Sequence, residues 1–162
     1  MDQHPEIDIC GLKVDMFGES TWEWNVYTDP AFLSCACLFY TPFVHPTIMM
    51  RAASLRKHQL EYNKDFFYTE DYEFFERASH VLQFTNLEIP GTYFYRYLST
   101  NATNVGGNQG LQLQNKVMGA AFERWGLHFS KDEIRILSPN TYPVAALNPT
   151  LSDSAMRKRV SF

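Results

Sequence analysis

A chain of 162 residues, 45% hydrophobic and 20% charged, has the size and composition of about one globular domain, which excludes wholesale disorder. Its net charge of −4 argues against nucleic-acid binding. No apolar run approaches the roughly 20 residues that span a bilayer, and the first residues lack the basic-then-apolar order of a signal peptide.

Three cysteines, an odd count, fit a reducing compartment better than a disulfide framework, so a cytoplasmic location is expected. Aromatic residues make up 15% of the chain, which suits a bulky core and equally a surface that stacks on sugar faces. Residues 6–14 alternate apolar and polar side chains as a strand does, and a strand this early suggests that a segment once preceded it. Gly18-Glu19-Ser20-Thr21 reads as a turn. Residues 22–26 alternate again around Trp22 and Trp24 and are expected to pair as a short antiparallel strand, a lid over a pocket being the other reading.

Thr28-Asp29-Pro30 is a helix start, with Pro30 in the first turn where its missing N–H costs nothing, and the helix is expected over residues 31–40. Cys35 and Cys37, two apart on that helix, point in different directions, so no metal site is expected there. Residues 43–51 run from a loop into a short apolar strand, and a helix follows from Ala52. His45, held extended by Pro46, is a candidate for contact with a substrate phosphate or hydroxyl. The commoner outcome for such a residue is a solvent-facing or core-satisfied histidine.

Residues 60–67 read as a loop leading into Thr69-Glu70-Asp71, the head of an aromatic, amphipathic helix expected to end near Asn86. Thr69 is the natural cap, its hydroxyl accepting a first-turn N–H, and Glu70 and Asp71 fall where the helix dipole favours negative charge. Phe74, Phe75, Ala78, Val81 and Leu82 follow at spacings of three and four and form the buried face. A carboxylate held this way can be a positioned base; by local pattern alone an ordinary acidic helix start is the commoner reading.

Residues 87–98 look like a strand interrupted early by Pro90-Gly91, with Arg96 placed to reach a phosphate or to form a surface ion pair. The glycines at 106, 107 and 110 lack the spacing of a phosphate cradle and lead into a long helix outlined by Leu111, Leu113, Val117, Ala121, Phe122 and Trp125 and closed by Gly126. Ser130-Lys131-Asp132-Glu133 is a capping box for a short helix through Leu137. Residues 138–162 read as a loosely packed tail ending in Arg157-Lys158-Arg159, most simply a solvated end, contact with anionic lipid at the inner membrane surface being the other reading.

Four blocks in order resemble family 2 glycosyltransferases over residues 1–137: Ile7-Asp8-Ile9-Cys10-Gly11, the stretch from Phe43 to Arg51, Tyr68-Thr69-Glu70-Asp71-Tyr72-Glu73, and Tyr93-Phe94-Tyr95-Arg96-Tyr97. The resemblance implies an α/β fold that is part of a GT-A domain, with a short mixed sheet packed with helices and a long C-terminal helix. It implies that Asp71 is the catalytic base, taking the proton of an acceptor hydroxyl so that the oxygen attacks the anomeric carbon with inversion. Glu70, His45 and Thr47 then lie on the acceptor side, and Arg96 on the diphosphate side.

The chain departs from the family in lacking the nucleotide-binding half and its Asp-x-Asp motif; Asp15 and Asp29 do not form one, and Leu98 stands where relatives often carry a histidine. No metal or cofactor is therefore expected on this chain, although a complete enzyme of the hexosyltransferase type is expected to use Mn or Mg. Its expected partners are a nucleotide sugar and a glycan or lipid-linked acceptor. The alternatives are a non-catalytic remnant that binds glycan or protein, or a subunit whose bare sheet edge is covered by another chain or by self-association.

Overall fold

The computed structural model describes residues 1–19, 26–91, 93–101 and 107–138. The early alternation becomes β1 (Ile9–Leu12), whose first three residues are buried, followed by β2 (Asp15–Gly18). The strand expected around Trp22 and Trp24 lies outside the described residues. Helix α1 (Pro30–Ala36) starts as the sequence predicts, the Asp29 carboxylate accepting the Phe32 N–H at 2.7 Å beside Pro30. It stops at Ala36, and the residues up to Tyr40 continue as turns rather than as helix.

A 3-10 turn at His45–Thr47 leads into β3 (Met49–Met50) and α2 (Ala52–Lys57), and a second 3-10 turn at Lys64–Phe66 precedes α3 (Glu70–Ala78). The acidic helix thus ends at Ala78, well short of Asn86. Phe84 and Asn86 point inward and Thr85 and Leu87 outward, and pairing this stretch with β1 as β4 (Phe84–Leu87) prevails over extending the helical stripe. Phe74, Phe75, Ala78 and Leu82 are buried as expected; Val81, beyond the helix end, is 47% exposed.

β1 is the middle strand of a mixed three-stranded sheet, parallel to β4 and antiparallel to β3. β2 pairs in parallel with β5 (Phe94–Tyr97) in a separate two-stranded sheet. Pro90-Gly91 therefore separates strands of two sheets instead of interrupting one. Gly91 takes φ of 71° there and donates its N–H to the Asp15 carboxylate at 2.7 Å. Ile9, Leu33, Phe43, Phe74, Phe75 and Phe84 fill the core between sheet and helices.

Gly11 stands opposite Asn86 on the parallel pair, and a Cβ at residue 11 would lie 2.3 Å from Asn86 Oδ1 and 2.8 Å from the Phe43 ring. Neither neighbour can yield. Asn86 is 1% exposed and its Nδ2 donates to the carbonyls of Tyr27 at 3.0 Å and Pro42 at 3.2 Å. Gly11→Ala is expected to cost about 2 kcal/mol by overpacking, read as a lower urea midpoint at unchanged m-value.

The long helix α4 (Gly107–Arg124) packs on α3 and buries Val117, Met118, Ala121 and Phe122. It closes as predicted: Gly126 adopts φ of 71°, its N–H donates to Glu123 O at 3.0 Å, and Leu127 N–H donates to Phe122 O at 2.9 Å. Trp125, just past the helix, is 55% exposed rather than part of the buried face. α5 (Lys131–Leu137) has both halves of the Ser130/Glu133 capping box. Among the described residues no helix is long and apolar enough to cross a membrane. Arg157-Lys158-Arg159 and nearly all of the expected tail lie outside the described residues, although Ser138 at its start is buried.

Candidate active site

The first turn of α3 carries Glu70, Asp71 and Glu73. The chain enters it through Tyr68 at φ of 74°, a left-handed conformation that a bulky side chain rarely adopts and that tends to gather at functional sites. Thr69 occupies the N-cap, its carbonyl accepting the Glu73 N–H at 3.0 Å, but its hydroxyl does not cap the helix. With φ of −139° and ψ of 18°, the residue is not in the extended conformation that aims a cap side chain at the first-turn N–H groups. The hydroxyl donates backward to Phe66 O at 3.4 Å. Asp71 takes up one of those orphan donors instead, its Oδ1 accepting the Tyr72 N–H at 2.7 Å.

Asp71 is half-buried, and burial pushes its carboxyl above the ordinary range. The Tyr72 N–H and the nearby His45 pull it back, while the Glu70 charge raises it again. Glu70 Oε2 is buried without a hydrogen-bond partner. His45 Nε2 lies 2.9 Å from the Tyr62 hydroxyl. Burial, then Asp71, then Glu70 push that phenol up to about 12, so it stays protonated and can donate to the imidazole.

Thr47 does a different job. Its hydroxyl accepts the Leu12 N–H at 3.0 Å and donates to Val44 O at 2.7 Å, so it is committed to the backbone and buried. These bonds hang the His45 turn on the carboxyl end of β1, the side of an open α/β sheet where ligands gather. Arg96 is exposed on β5, its guanidinium 5.4 Å from the Phe17 ring centre, and the contacts described for Glu70, Asp71, His45 and Tyr62 do not include it. The structure thus brings together His45, Glu70 and Asp71, commits Thr47 to the backbone of Leu12 and Val44, and leaves Arg96 on the second sheet.

Tyr62 is the member that sequence reasoning missed. Its ring stacks on Phe74 at 4.5 Å and 26°. Arg77 clasps Glu73 through Nε at 2.7 Å and Nη2 at 2.8 Å and donates to Glu61 O at 2.7 Å, which pins the segment just before Tyr62 to α3. The one sequence signal was the Glu73/Arg77 spacing of four, which says nothing of a loop residue.

No three His, Cys, Asp or Glu side chains among the described residues converge as metal ligands. Asp29 Oδ1 accepts the Phe32 N–H and Asp15 Oδ2 the Gly91 N–H, each at 2.7 Å. An open groove of about 480 Å³, lined by Val26, Tyr27, Thr28, Asp29, Phe32 and Glu88, contains none of the acidic-helix residues. Within the groove, Asp29 is occupied as a helix cap and Glu88 lies 63% exposed beside Lys13.

No family model and no solved structure matches the chain. A Haemophilus influenzae protein named "Uncharacterized glycosyltransferase" is 46% identical to it over 75 residues. The chain is a partial relative of a protein named as a glycosyltransferase. The match takes in 44% of this chain and 22% of that protein, so the chain spans well under two thirds of the relative's length.

Proposed function

We propose that this chain is the acceptor-side part of an inverting, family 2-type glycosyltransferase with a GT-A fold, in which Asp71 takes the proton of the acceptor hydroxyl. The observation that carries the reading is the setting of Asp71: a half-buried carboxyl, raised by burial, fixed at the start of a packed helix beside Glu70 and His45. A raised carboxyl is a stronger base once ionised, and general-base assistance is most effective when the base is tuned toward the working pH. Glu70, beside Asp71 in the same first turn, is the candidate to accept from a second acceptor hydroxyl. The partial relative named as a glycosyltransferase supports transfer in general.

Stabilising the charge on a leaving diphosphate usually lowers the barrier of such a reaction more than any other effect, and the residues described offer no metal site for it. The donor is therefore expected to bind to a further segment or partner, with Arg96 a candidate on the diphosphate side. Calorimetric titration of this chain alone with nucleotide sugars, with and without manganese, is expected to show no measurable heat of donor binding. A form that also carries a donor-binding half is expected to transfer sugar to a glycan or lipid acceptor with inversion, read by NMR of the product. Retention of configuration would refute the mechanism.

A further inference from the structure

Tyr62 carries an inference that rests on the acceptor-side reading and goes beyond it. Tyr62 is 43% exposed although one face of its ring is backed by Phe74. Its hydroxyl is held by His45, and the loop before it is pinned by Arg77, so the ring is an ordered surface. Phe74, on which it stacks, lies one turn along α3 from Glu70 and Asp71, at spacings of four and three, so the ring borders the side of the helix that carries both carboxylates. Phe67, 62% exposed and packed on Tyr68 at 4.3 Å, adds a second open ring just ahead of the helix start.

A flat aromatic face beside carboxylates is the chemistry that recognises a pyranose. The apolar C–H face of the sugar covers the ring, and its hydroxyls donate to the acids. We infer that Tyr62 is the stacking platform for an uncharged pyranose acceptor whose hydroxyls reach Glu70 and Asp71. Charge sets the class. A uronic acid would bring a third carboxylate beside Glu70 and Asp71 at the start of α3, and of the basic side chains around the ring Arg77 is already paired with Glu73, which leaves His45.

Saturation-transfer NMR on the chain as it stands tests this with methyl β-glucopyranoside and methyl β-galactopyranoside against the corresponding methyl uronides at neutral pH. The expected result is transfer to the neutral glycosides, strongest at the protons of one sugar face, and binding of the uronides weaker by about tenfold. Tyr62→Ala is expected to weaken neutral-glycoside binding about fivefold and Tyr62→Phe to restore it, with unchanged circular dichroism confirming that both fold. Asp71→Asn is expected to narrow the gap between neutral and acidic sugars. No transfer to either neutral glycoside, equal binding by Tyr62→Ala, or equal binding of the uronides overturns the platform. The base assignment fails separately, through sugar transfer retained in Asp71→Asn.

Discussion

Asp71→Asn is expected to lower sugar transfer by about 10³-fold in any form of the protein that carries a donor site, with donor affinity unchanged. An amide cannot take a proton from the attacking hydroxyl, but it can still accept the Tyr72 N–H, so the helix start keeps its geometry. The same substitution is expected to raise the thermal midpoint of the isolated chain near neutral pH. Burial, with the Glu70 charge adding to it, holds the folded carboxyl above its unfolded value, so folding disfavours the ionised form. The gain is largest above the folded pKa and shrinks as pH falls through it, because the wild-type carboxyl then becomes neutral as well. Kinetics and melting curves across that window check both halves. Loss of turnover together with a gain in stability marks a functional residue; loss of both would mark Asp71 as part of the scaffold.

Arg124→Ala is expected to cost about 2–3 kcal/mol, the largest stability loss of a single side chain proposed for this protein. Glu76 on α3 is 2% exposed and is held by Arg124 from α4 and by His80 at 3.0 Å. Removing the guanidinium leaves a buried carboxylate with only the imidazole, which is costlier than never having had the pair. The figure sits at or below the low end for a broken buried pair because Arg124 is itself 41% exposed. Urea denaturation measures the loss, and Glu76→Gln added to Arg124→Ala is expected to recover part of it. An additive double mutant would show that the two side chains do not interact.

Features written into neighbouring residues were legible in the sequence. The Asp29-Pro30 start, the Gly126 closure and the Ser130/Glu133 box each depend on a few adjacent residues, and each formed as read. The helix carrying Asp71 was legible too, but its end was not, because the choice between another helical turn and β4 is made by β1, far away in the chain. The Thr69 hydroxyl was misread for a related reason: cap residues are recognised by type, whereas capping depends on a backbone conformation that the left-handed Tyr68 helps to set. Tyr62 reaches the site through contacts with Phe74 and His45 that no spacing announces. The split of residues 84–97 between two sheets was likewise invisible, since Pro90-Gly91 signals a break without saying where the chain resumes.

The fit between Gly11 and Asn86 also has an evolutionary consequence. Because the space for a side chain at residue 11 is taken by the amide of residue 86 and the ring of residue 43, these positions are coupled. A lineage that acquires alanine at 11 carries the cost of overpacking unless Phe43 shifts and Asn86 is exchanged for something smaller, and that exchange gives up the ties to Tyr27 and Pro42. Among homologues the two sites should therefore vary as a pair, with the carbonyls of Tyr27 and Pro42 finding new donors wherever the pair has changed.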